Sequence, residues 1–245
     1  MKYLITFSYD GSKFKGYQKQ PRLRTVQSEI EKVLKEINKN KKVDISASGR
    51  TDTGVHAINQ KAHFVLDVKI SPDKLKIALN SMLEKDIYIR DVYEVTDDFH
   101  ARFDVKSKTY MYKINLGEYN PIEKDYVLQY CKKLDFDEVS RALKYLEGTH
   151  NFKSFTKSDS SIDDYERTIL FADLKKESND KIIIEFTGTG FMRYMVRNLV
   201  GTILEVGSGK LKSEEVINIL NKKDRTKAGV TAPACGLYLK DVFYK

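Results

Sequence analysis

The chain has 245 residues, 41% of them hydrophobic and 32% charged, with a formal net charge of +8. That length supports one large domain or two small ones, and the basic excess favours an anionic partner, nucleic acid foremost. The opening stretch 3–7, apolar but for Thr6, is shorter than a secretory signal needs, no stretch reaches the ~20 apolar residues of a membrane span, and Cys131 and Cys235 lie outside any metal-ligand spacing, so a cytoplasmic location without a secretory signal and with free thiols is expected.

Residues 2–9 read as a strand running into an Asp10-Gly11 turn. In 13–24, Lys13, Lys15, Lys19, Arg22 and Arg24 surround Phe14 and Tyr17, an interleaving that suits an RNA backbone with exposed bases, or else a solvated loop. Residues 25–38 predict an amphipathic helix capped by Thr25, with Val26, Ile30, Val33, Leu34 and Ile37 at helical spacing. Short strands are expected at 43–47 and 60–68, a helix from Ser71-Pro72 to about Leu83, and a strand at 87–95. The second half begins with a long strand, 107–117, then a helix from Asp135 with Glu138 placed for a capping box and Gly148 at its end. The polar, serine-rich stretch 157–164 is the best candidate for a mobile loop. A hairpin over 165–177 and 181–187, an apolar helix over 191–206, a helix over 213–222 capped by Ser213 and a strand over 236–243 complete the order. The expected class is α+β: two halves, 1–105 and 106–245, with mixed, mainly antiparallel sheets and helices packed on them.

The segment Ser46–His56 concentrates chemistry, with two glycines, Arg50, Asp52 and His56 following a strand. Gly49 and Gly54 permit backbone angles that other residues resist, so Asp52 can be held at the tip of a tight turn beside a ligand. Arg50, two residues earlier, faces the same side if the segment is extended. A plain Asx-turn, with Asp52 bonding its own backbone, stays open on physical grounds. Gly188 and Gly190 before a helix are a weak phosphate signal; a turn suits them better.

The run GRTDTGVHA resembles the signature of the tRNA pseudouridine synthase A family. Four further blocks lie in the family's order: FSYDGSKFKGYQKQ, DDFHARFD with SKTYMYKI, FMRYMVRNLVGTILEVGSG, and KDRTKAGVTAPACGLYLKDVFY. Tyr17, Thr53, Arg193 and Tyr194 depart from residues that relatives often carry. The resemblance implies two related α+β halves joined across a central catalytic cleft. It implies isomerisation of uridine to pseudouridine at positions 38, 39 and 40 of the tRNA anticodon stem-loop, by a homodimer, without cofactor or metal and away from any membrane. By position, Asp52 is the expected nucleophile, Arg197 its buried ion-pair partner, Tyr110 the residue stacking on uracil, and Arg50 a contact to RNA phosphate or to the space of the everted base. His56 and His100 are expected to be structural or to touch RNA. Action on another RNA such as ribosomal RNA, or RNA binding without catalysis, are the alternatives.

Overall fold

The computed structural model describes residues 1–157 and 164–244. The expected mobile loop falls mainly on 158–163, outside the described residues. The chain forms two compact units, Met1–Lys106 with Tyr238–Lys245, and Ser107–Leu237. The class is α+β, with, among the described residues, five α-helices packed on strands of mixed direction.

In the first unit, β1 (Lys2–Tyr9) is flanked by antiparallel β3 (His56–Val65) and β4 (Ile87–Glu94). Tyr3, Ile5, Phe7 and Tyr9 of β1 are buried, the alternation a strand needs to feed a core. β2 contains only Ser46–Ala47, paired antiparallel to β3 at Ser46↔His63 and Ala47↔Ala62. β10 (Leu237–Tyr244) lies parallel to β3, with Tyr238↔His56 and Leu239↔Ala57 in register. The final strand therefore completes the first unit, although sequence order placed it with the second half.

α1 (Val26–Ile37) buries Val26, Ile30, Val33 and Leu34, the helical stripe expected from the sequence. Thr25 caps it by accepting from the Ser28 amide, and Ser28 reciprocates toward the Thr25 amide. α2 (Pro72–Met82) starts on its proline and packs on β4.

In the second unit, β5 (Val105–Asn115), β9 (Lys181–Gly188), β8 (Glu166–Lys176) and β7 (Gly148–Asn151) are antiparallel neighbours in that order. A two-residue β6 (Leu128–Gln129) runs parallel to β5. α3 (Phe136–Leu146) packs on β8 and on α4 (Met195–Gly207). The Asp135 cap forms, accepting from the amides of Asp137 and Glu138, but no capping box does. The Glu138 carboxylate turns instead to the Ser213 amide (2.9 Å) and to Arg141. Ser213 does not cap α5, which begins later, at Glu215–Lys222. α4 also begins later than its apolar run suggests: Tyr194 is left-handed (φ 63°), which separates 191–194 from the helix. Among the described residues no helix is long and apolar enough to cross a membrane.

Candidate active site

The Asp52 turn is built by contacts made on both sides of it. Upstream, Ser48 pairs its amide to Lys61 O (2.8 Å) and its hydroxyl to Gln60 Oε1 (2.6 Å). Gln60 Nε2 returns a bond to Gly49 O (3.0 Å), so one fully buried amide closes the ring around the start of the turn. At the tip, Thr51 O accepts from the Tyr17 amide (3.1 Å), and its hydroxyl meets the Tyr9 hydroxyl at 2.8 Å. Burial pushes the Tyr9 phenol up to about 12, so it stays protonated and able to bond. Downstream, Val55 donates to Asp52 O (3.1 Å), and Gly54 takes φ 79°, the left-handed geometry that favours glycine. Gly11 lets its loop lie against the turn: a Cβ there would come 2.0 Å from Val55 O.

Asp52 is half-buried at this tip and Arg50 is exposed. A carboxylate on a turn pinned at Ser48, Thr51 and Val55 keeps its position without help from a ligand, as a nucleophile or electrostatic stabiliser requires. His56 is buried, accepts from the Gly11 amide at Nδ1 (3.0 Å) and stacks on Tyr238 at 4.6 Å, a structural post under the turn. His100 is likewise local, its Nδ1 accepting from the Arg102 amide (3.1 Å).

The other two expected residues belong to the second unit. Tyr110 sits in β5 opposite Phe186, 8% exposed, with its ring edge-on to Phe191 at 5.1 Å. The phenol of Tyr112, two residues on, donates to Pro233 O (2.6 Å). Burial pushes that phenol far up, and the charge of Arg197 opposes the rise. Arg197 is half-buried on the first turn of α4. Its Nε donates to Ala232 O (2.7 Å), and its guanidinium lies over the Tyr194 ring at 5.2 Å. The structure therefore puts Asp52 and Arg50 on one turn, and Tyr110 on β5 and Arg197 on α4 of the other unit.

The basic loop is corrected in part. Phe14 and Tyr17 are 1% and 2% exposed, so they belong to the core and offer no face to a base. Arg24 lies over Phe14 at 4.2 Å and forks onto both Asp86 carboxylate oxygens, while Lys19 pairs with Glu31 at 2.8 Å. Lys13, Lys15 and Arg22 remain exposed. Gly188 ends β9, and Thr189 carries the pairing with β8 one residue further by donating to Thr168 O (3.1 Å), so the stretch is a strand end and not the turn its glycines suggest. Sequence reading missed the supports Tyr9 and Gln60. The available signal was a glutamine opening the expected 60–68 strand.

The family model described as tRNA pseudouridine synthase matches residues 5–104 and 142–245. A tRNA pseudouridine synthase A of Geobacillus sp. (strain WCH70) is 46% identical over 240 residues, covering 98% of this chain and 96% of the relative. The tRNA pseudouridine synthase A of Streptococcus mutans serotype c is 42% identical over 246 residues, covering 100% and 99%. Among solved structures, one from a Cbf5-Nop10-Gar1 complex aligns over 82% of this chain and 54% of that chain, at 11% identity and a TM-score of 0.35, a likeness too distant to bear on the fold.

Proposed function

Because this chain belongs to the tRNA pseudouridine synthase family and is thereby an isomerase making pseudouridine in tRNA, we propose that its targets are the uridines at positions 38, 39 and 40 of the anticodon stem-loop. The observation that carries the reading is the Asp52 turn, a half-buried carboxylate fixed from both sides within a run that resembles the family signature.

Asp52 is the catalytic carboxylate. The reaction breaks the bond from uracil N1 to ribose C1′, turns the base and joins C5 to C1′. The C5 proton goes to solvent and N1 gains one, so atoms balance without oxidant or cofactor. A carboxylate beside C1′ either bonds to it or balances its developing positive charge, as in glycoside hydrolysis. Asp52 does this work ionised. Arg197 is the proposed partner that holds it so against the desolvation of a closed pocket. Tyr110 is the proposed stacking platform for uracil. A stem uridine must leave its stack before C1′ is reachable, at a cost of about a few kcal/mol. Arg50, exposed two residues from Asp52, is placed to offset part of that by occupying the vacated space or binding phosphate. The working form is a homodimer in the cytoplasm, where tRNA is handled.

The test is release of tritium from tRNA transcript labelled at uridine C5. Wild-type protein releases label, with pseudouridine mapped to 38–40. Asp52→Asn releases none while binding the same tRNA within several-fold. Turnover by Asp52→Asn overturns the role of Asp52. Pseudouridine mapped elsewhere in tRNA overturns the site assignment alone.

A further inference from the structure

We propose that Arg225 is a positioning residue for the reaction: it fixes the strap 228–233, and the strap sets the direction of the Arg197 guanidinium. The proposal rests on the reading of Arg197 as the cation serving the catalytic carboxylate.

Arg197 grips one residue of the strap twice. Its Nε donates to Ala232 O at 2.7 Å, and its own carbonyl accepts from the Ala232 amide at 3.1 Å. A guanidinium is planar, so a bond at Nε fixes the plane as well as the position. The peptide at Ala232 is therefore one anchor that sets the direction of that plane.

The adjacent residue on each side, Asn198 on the helix and Thr231 on the strap, carries the network that defines it. Asn198 is 1% exposed and its Nδ2 donates to Phe155 O (2.7 Å). Its Oδ1 accepts from Thr231 Oγ1 (2.6 Å) and from Arg225 Nη2 (2.9 Å). Arg225 Nη2 also donates to Thr231 Oγ1 (2.9 Å), and Nη1 to Ala228 O (3.2 Å). One guanidinium thus spans the strap from residue 228 to residue 231 and ties it to α4. All these acceptors are neutral oxygens, and burial lowers the pKa of Arg225, the cost of enclosing a cation, while the charge of Glu205 opposes the fall.

Close packing finishes the fit. A Cβ on Gly201 would lie 1.7 Å from Val230 O, so the strap rests directly on the helix backbone, and Gly229 donates to Thr202 Oγ1 (2.9 Å). The helix block and the tail block of the sequence are two halves of one clamp, with Arg225 as its pin.

The test is a double-mutant cycle. Arg225→Met and the milder Thr231→Val are each made alone and in an Arg197→Ala background. Single-turnover tritium release, tRNA Kd and thermal midpoint are measured for every variant. If Arg225 acts through Arg197, Arg225→Met slows the chemical step roughly 10–100-fold, the scale of a catalytic group misplaced by about an ångström. Thr231→Val slows it less, tRNA Kd stays within about twofold, and neither change slows Arg197→Ala further. Equal losses in both backgrounds, or a loss confined to Kd, overturn the positioning role and leave Arg197 standing. A wild-type rate for Arg197→Ala overturns the reading of Arg197 and the proposal with it.

Discussion

At the scale of single residues, similar side chains have unlike duties that burial sorts out. His63 is 9% exposed, accepts from the Ala101 amide at Nδ1 (3.0 Å), and packs edge-on to His100 at 4.6 Å. Burial first, and the charge of His100 second, lower its pKa from 6.5 to about 4. The fold therefore prefers the neutral ring. Its contribution is complete above the unfolded pKa and is lost as pH falls from 6.5 through 4. Thermal midpoints measured across that window should drop in the wild type and drop less in His63→Gln, which keeps an acceptor for Ala101 but does not titrate. An equal drop in both removes His63 as the cause. The same sorting applies to the basic loop. Phe14→Ala should cost about 3–5 kcal/mol in denaturant unfolding, as deletion of a buried ring does. Residue type and spacing identify the loop as basic and aromatic. They do not reveal that the rings face inward, because a Lys-Phe-Lys pattern is the same whether the aromatic is a base platform or an anchor for the loop.

At the scale of elements, the periodic helices are legible in the sequence and their starts less so. The stripe of α1 and its Thr25 cap follow from spacing and residue type. Thr25→Ala should lower stability by about 1 kcal/mol, read as a shifted denaturation midpoint, with the slope unchanged if the cap alone is removed. The starts of α4 and α5 differ from expectation for tertiary reasons. Residues 191–194 read as the start of the helix, yet the left-handed Tyr194 sets them apart from it, and Phe191 packs on Tyr110. Ser213 reads as a cap, yet the helix begins at Glu215 and the Ser213 amide is held by Glu138 of α3. Local propensity carries no record of either partner. The Asp52 turn is legible only as a motif. The residues that hold it, Tyr9, Gln60 and Gly11, lie up to tens of positions away and become visible once β1 and β3 are paired.

At the scale of the whole molecule, the excess positive charge is the property that meets a polyanion. Lys13, Lys15 and Arg22 are exposed, whereas Arg24 and Lys19 answer Asp86 and Glu31. Replacing Lys13, Lys15 and Arg22 together with alanine should weaken tRNA binding for all tRNAs alike. It should also flatten the plot of log affinity against log salt by up to about 0.7–0.9 for each phosphate no longer neutralised. Filter binding at several salt concentrations checks this. An unchanged slope places the RNA-binding cations elsewhere on the surface.

The parallel pairing of Tyr238 and Leu239 with His56 and Ala57 has a consequence for synthesis. A nascent chain emerges from its amino end, and the imidazole beneath the Asp52 turn rests on an aromatic ring encoded 182 codons later, at Tyr238 rather than His56. The lobe that begins first is thus sealed last. Until the 237–244 ribbon leaves the ribosome, the edge of β3 waits unzipped, and a stalled or clipped polypeptide lacking that ribbon would show protease sensitivity in its earliest-made half.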